Sequence, residues 1–231
     1  MADENVVRIA AVGGRHHLDM FASTADGGSM RSEGLGEAIA ARYPGVKVDL
    51  VVEEVPGFDE VRRRLAAGSF LSGEHQPDVV ILSVDDDVRR LPQRAADPAA
   101  AVAAVADDLM AITYHFKEAG VRVLVANACT VDPDASPFPD ATDVEPIGLR
   151  AHRLDLMLVQ VSHSDGISVI DIDRSMAEIG AAENLSAPMV YSPAACARII
   201  DDTVTILDDY GFVDDRPLLE QVGSGRKSGP A

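Results

Sequence analysis

Short apolar runs alternating with longer amphipathic stretches constrain this chain more than any other feature. Val6 to Val12, Val46 to Glu53, Asp78 to Val84, Val121 to Ala126 and Ile167 to Ile172 read as strands. Between them, Ser32 to Tyr43, Phe58 to Ala66, Pro98 to Ala119, Gly148 to Ser162 and Pro193 to Tyr210 read as helices. A βα unit repeated five times predicts a three-layer α/β/α sandwich around a five-stranded parallel sheet. Open sheets of this kind bind ligands beyond the carboxyl ends of their strands, so the loops beginning at Gly13, Glu54, Asp85, Asn127 and Asp173 are the ones to search.

At 231 residues, 47% of them apolar, the chain suits one large domain, expected over residues 1–222. The tail Gly223 to Ala231 has no apolar anchor and is expected to be disordered. Asp132 to Asp140 carries three prolines and reads as a loop beside the strand ends, suited to a lid. The alanine-rich run Ala99 to Ala106 reads as scaffold helix.

Twenty basic against 38 acidic residues give a net charge of −18, which opposes binding to nucleic acid or to an anionic membrane. Two cysteines, Cys129 and Cys196, lie in no metal or disulfide spacing. The first residues lack the basic and apolar regions of a signal peptide, and no apolar run approaches the roughly 20 residues of a membrane span. The expectation is a cytoplasmic protein with a small-molecule ligand or substrate and no cofactor; its oligomeric state is not readable.

The first strand runs into Gly13-Gly14-Arg15-His16-His17, and Pro77 to Val84 runs into Asp85-Asp86-Asp87. Together with Glu53 to Asp59 and Val190 to Ile200, these segments resemble, in order, the four blocks of the SGNH (GDSL) hydrolases. The resemblance spans about residues 6 to 212 and implies a flavodoxin-like, SGNH hydrolase-like fold. It also implies which positions would carry an esterase: Arg15 stands where the nucleophilic serine belongs, Tyr191 where the histidine belongs, and Pro188 where its aspartate belongs. Ser83 replaces the usual glycine, and Asp85 replaces the asparagine of the oxyanion hole, where a carboxylate repels a developing oxyanion. Only Gly57, a backbone donor in that family, is kept. The Ser-His-Asp mechanism needs its members together, so a standard serine esterase is not expected.

The replacements are polar rather than inert, which points to a repurposed site for a small polar or anionic molecule. The candidate catalytic residues are Arg15, His16, His17, Asp85 and Asp86, and the candidate binding residues are Gly14, Gly57 and Tyr191. Arg15 suits an anionic group at a helix start, or else an internal ion pair with Asp85 or Asp86. His16 and His17 are adjacent, so at most one faces the site; it would serve as a general acid or base. Asp87 is expected in solvent, and the aspartate triplet also suits a helix cap. No metal is expected, because no metal-binding spacing joins these histidines to Asp19, Asp85 or Asp86. Cys129 reads as a buried thiol or a cleft nucleophile. Ser23 and Ser29 lack the setting of a displaced nucleophile. His152 and His163 flank a helix whose stripe is read as Leu149, Leu154, Leu156, Met157 and Val161. Two other functions compete with the repurposed enzyme: a non-catalytic ligand- or partner-binding pseudoenzyme, and an ester hydrolase using another serine.

Overall fold

The computed structural model describes residues 5–21, 34–68, 70–129, 145–187 and 189–211. Five strands, β1 (Asn5–Gly13), β2 (Val46–Glu54), β3 (Val79–Ser83), β4 (Arg122–Ala126) and β5 (Ser168–Ile170), form one parallel sheet in the order β2-β1-β3-β4-β5. β1 pairs with β2 from Asn5–Val46 to Gly13–Glu54, and with β3 from Ile9–Val79 to Val12–Leu82. The helices are α1 (Arg15–Phe21), α2 (Leu35–Arg42), α3 (Phe58–Ala66), α4 (Asp85–Arg94), α5 (Pro98–Glu118), α6 (Ile147–Asp165), α7 (Ile172–Ile179), α8 (Ala181–Asn184) and α9 (Pro193–Asp209). A two-stranded antiparallel ribbon, β6 (Leu185–Ala187) with β7 (Val190–Tyr191), leads into α9.

The twofold period of the strands sorts their side chains into two cores. Ala10, Val12, Val80, Leu82, Val123 and Val125 meet α3, α4, α5 and α6, while Ile9, Ala11, Val79, Ile81, Leu124 and Ala126 meet α1, α2, α7 and α9. Each large apolar side chain so enclosed contributes about 1.5–3 kcal/mol. Helix starts follow local chemistry. Asp97 and Ser192 accept the Ala100 and Ala195 N–H groups at 2.8 and 3.2 Å, each ahead of a proline at the first helical position; such caps contribute about 1 kcal/mol.

Several sequence expectations change. α1, α4, α7, α8 and the β6–β7 ribbon were not read from the pattern, and β5 is shorter than its apolar run. α4 carries Pro92 inside it, which removes a backbone donor and hides the helix from a propensity reading. On α6 the buried stripe is Ile147, Ala151, Leu154, Met157, Leu158 and Val161, whereas Leu149 and Leu156 are exposed. α5 is long and apolar enough by composition to cross a membrane; here its face of Val105, Leu109, Ile112 and Phe116 is buried in the core shared with α3, α4 and α6. Arg94 of α4 pairs with Asp108 of α5 and with Asp59 of α3, and Arg90 joins Asp59 at 2.9 Å, which fastens these helices to one another. The expected lid (Asp132 to Asp140), the tail (Gly223 to Ala231), Ser23, Ser29 and Pro188 lie outside the described residues.

Candidate functional site

In a sheet of order 2-1-3-4-5 the chain leaves β1 and β3 in opposite directions, and a crevice opens beyond their carboxyl ends. Gly13 and Gly14 end β1 there, and Ser83 and Val84 deliver Asp85 and Asp86 from β3. The two turns touch. A methyl group on Gly14 would lie 2.5 Å from the Asp86 Oδ2, so only glycine lets this carboxylate lie against the backbone.

Arg15 begins α1 as an exposed side chain and forms no ion pair among the described residues; the internal bridge to Asp85 or Asp86 is not made. Asp19, one turn later on the same helix face, lines a cavity of about 170 Å³ with His16, Met20, Tyr191, Pro193 and Cys196. His16 is exposed, and its charge favours ionised Asp86. A larger open groove of about 530 Å³ between α7 and α9 is bordered by groups that satisfy one another, Arg198 pairing with Asp202 and with Glu178.

His17 is not a surface base. It is fully enclosed, packed edge-on against Phe21 with ring centroids 5.0 Å apart and against the Gly13–Ser83 contact. Burial lowers its pKa to about 3, only weakly opposed by the Ile81 carbonyl, and neither ring nitrogen makes a full hydrogen bond. The helical step from His16 to His17 turns one imidazole to solvent and the other into the core.

Gly57 also departs from expectation. Its φ of +84° suits only glycine, and its N–H donates to the Val55 carbonyl at 3.0 Å, so it is not turned outward as an oxyanion donor. Asp87, expected in solvent, is fully buried beside it and accepts the Phe58 N–H at 3.0 Å. It therefore caps α3 rather than its own helix. Burial raises its pKa to about 7.

Asp85 is 2% exposed, and neither carboxylate oxygen accepts a full hydrogen bond. The Ser83 hydroxyl, which accepts the Asp85 N–H at 3.1 Å, favours its ionised form only weakly. Burial, with the Asp86 charge, raises Asp85 to about 7 against the pull of Arg89. Asp86 is half-buried and shifts upward for the same first cause, with Glu54 adding to it. A carboxyl group poised near 7 holds or releases a proton at neutral pH.

The sequence reading named Tyr191 and Cys129 here but missed Asp155. Tyr191 accepts the Cys129 N–H at 3.4 Å through its hydroxyl, and burial together with the Asp85 charge moves the phenol well above its ordinary range. Asp155 of α6 is raised to about 7 by burial and by Asp173, with an Oδ1 that has no partner. Cys129 is enclosed, its thiol shifted upward by burial and by bonding to Asp173, which removes it as a nucleophile. Asn127 organises the loop behind them, donating to Asp171 at 3.1 Å and accepting the Ile172 N–H at 2.6 Å. One signal for Asp155 was present: it lies four residues after Ala151 and three before Leu158, inside the apolar stripe. Among the described residues no three such ligands converge to hold a metal ion.

The sheet order and the two-sided helical cover define an SGNH hydrolase-like fold. Solved structures agree over nearly the whole chain. A lipase/acylhydrolase from Enterococcus faecalis is 15% identical with a TM-score of 0.63, covering 88% of this chain and 96% of its own. A member of the lipolytic G-D-S-L family from Veillonella parvula is 12% identical at 0.60, covering 87% and 98%. An acetylxylan esterase from Geobacillus stearothermophilus is 12% identical at 0.62, covering 86% and 93%. No protein-family model matches the chain, and no curated protein matches it.

Proposed function

We propose that this chain uses the SGNH fold without a nucleophile, binding a small polar molecule beyond β1 and β3 and moving protons on it. Arg15 takes an anionic substituent through its planar fork. His16, which lines the cavity, and Asp86, held against Gly14, move protons, Asp85 is the buried acid, and Tyr191 forms the wall. The observation that carries this reading is Asp85 itself. Where an esterase of this fold needs a hydrogen-bond donor, the chain holds an enclosed carboxyl group near pKa 7 with two unpartnered oxygens. Such a group is a poor oxyanion partner and a good proton donor or acceptor.

The inward-turned Gly57 N–H and the enclosed His17 favour a second reading, a site that binds without turnover. One set of experiments separates the readings. A fluorophosphonate probe at neutral pH is expected to label no serine; a labelled serine would restore the esterase reading and reject ours. A polar ligand found by thermal-shift screening should lose its effect in Arg15→Ala and Asp85→Asn. Turnover of that ligand, reduced at least tenfold in His16→Ala and Asp85→Asn, supports catalysis, whereas binding with no turnover leaves a pseudoenzyme.

A further inference from the structure

We infer that two copies of this chain join along β2, antiparallel and in a single register, to make one continuous sheet. β2 is a nine-residue outer strand: it pairs with β1 and, among the described residues, with no other strand. Folded proteins keep such edges from pairing by shortness, proline, bulges or charge. β5, at the opposite edge, is three residues long. β2 has neither proline nor glycine, and its register with β1 runs unbroken from Val46 to Glu54. Its charges, Lys47, Asp49 and Glu53, are the remaining safeguard, and they suit one pairing.

The hydrogen bonds of β1 fix which residues of β2 turn their backbone outward. The Arg8 N–H donates to Asp78 Oδ2 and the Arg8 carbonyl accepts the Asp78 N–H, both at 2.8 Å, so this backbone faces β3. The Gly13 carbonyl accepts the Val55 N–H at 3.0 Å and faces β2. Alternation along the ladder then turns the odd-numbered residues of β2 toward β1, and leaves Val48, Leu50, Val52 and Glu54 with N–H and C=O groups pointing away from it. Side chains alternate as well. Val46, Val48 and Leu50 pack on the α2 side and Val51 on the α3 side, while Val52 is 40% exposed.

A second copy brings the same row of groups, and a twofold axis lets outward-facing residues meet one another only when it passes through a residue. Centred on Asp49, that carboxylate would oppose its own copy. Centred on Val51, Asp49 would oppose Glu53 of the second copy, twice. Centred on Leu50, Lys47 meets Glu53 of the second copy twice, and Asp49 meets Val51 while keeping its ion pair with Arg8 at 3.7 Å. Val48 then meets Val52 on either side of a Leu50–Leu50 contact. Opposite charges favour a cross-strand pair and like charges oppose it, so charge selects Leu50 as the centre. In that register Val48, Leu50 and Val52 each donate and accept a backbone bond, and the exposed Val52 side chain is covered. The Lys47–Glu53 pairs fall at non-hydrogen-bonded positions, where side chains approach most closely. Because the joined strands run in opposite directions, the two candidate sites open at opposite ends of the shared sheet.

The net charge of −18 acts against self-association, so the test is sedimentation of the full chain at about 0.15 M salt, where charges more than about 8 Å apart are largely screened. The parent is expected to be a dimer at about 10 µM. Val52→Pro removes an N–H that serves no bond to β1, and it, Lys47→Glu and Glu53→Lys should each weaken the dimer at least tenfold, with circular dichroism unchanged. An equimolar mixture of Lys47→Glu with Glu53→Lys should recover association, because every cross-strand charge pair is then opposite. The double variant, whose pairs are reversed, should recover it too. If Val52→Pro does not fold, the charge variants carry the test. A parent that stays monomeric at about 100 µM overturns the dimer; slow amide exchange at Val48, Leu50 and Val52 in that monomer would assign the edge to another segment of the chain. A dimer indifferent to a folded Val52→Pro rejects β2 as the interface. A dimer that neither the mixture nor the double variant recovers rejects this register.

Discussion

Asp87 shows how an enclosed carboxyl group trades stability for geometry. It is held at the β3–α4 turn, where one oxygen fixes the first N–H of α3 and the other lies against Gly57 with no donor. Its pKa in the fold, about 7, stands above the ordinary 3.8, so the folded protein prefers the protonated form. The stability associated with this group is therefore complete below about pH 4 and is lost as pH rises toward 7. Asp87→Asn keeps an acceptor for the Phe58 N–H and removes the charge. It should raise Tm at pH 8 by several degrees, about 2–4 °C for each kcal/mol in a chain of this size, and the gain should vanish at pH 4. A Tm at pH 8 no higher than the parent's would refute this account. His17 has the opposite sign: its pKa in the fold lies below the ordinary 6.5, so its contribution is present above pH 6.5 and is lost as pH falls toward 3.

At the scale of elements, α4 is the hinge between scaffold and site: its first turn carries Asp85 and Asp86, and its last turn is anchored by Arg94. The Arg94 side chain is 11% exposed and joins Asp59 of α3 and Asp108 of α5, whereas Arg62 reaches the same Asp108 from a side chain that is 55% exposed. Removing an enclosed partner leaves a charge unsatisfied, and removing a solvated one does little. Arg94→Ala should cost about 3 kcal/mol and Arg62→Ala less than about 1 kcal/mol, measured by urea unfolding; equal costs would contradict the anchoring role. The same helix marks the limit of what sequence could convey. The five apolar runs and the five long amphipathic stretches were legible because burial on both sheet faces writes them in hydrophobicity. α4 was not, because its opening aspartates and internal proline match no helical pattern. Gly14, Arg15, His16, Asp85 and Asp86 were legible as residues following strand ends, and Tyr191 through the family resemblance, but the structure puts Arg15 and His16 in the first turn of α1, Asp85 and Asp86 in that of α4, and Tyr191 in β7. The burial of His17 and Asp87, the use of the Gly57 N–H and the part of Asp155 depend on tertiary packing that no local spacing encodes.

For the whole molecule, charge and burial act in the same direction. A net charge of −18 opposes compaction at neutral pH, and Asp85, Asp87 and Asp155 each hold a proton more tightly folded than unfolded. Between about pH 4 and 6.5 three such carboxyl groups outnumber the single His17 that works against them. Urea midpoints should accordingly be higher at pH 5.5 than at pH 8, and added salt should raise the pH 8 value. A midpoint that increases from pH 5.5 to 8 would refute this balance.

The meeting of two turns at Gly14 and Asp86 bears on the mutational distance between this chain and a working esterase. Placing a serine at Arg15 would set a hydroxyl beside acidic groups at Asp85 and Asp86, with Tyr191 rather than an imidazole across from it and the Gly57 donor turned inward. The positions that would have to change lie in α1, α4 and β7, so no single substitution would assemble a serine esterase here.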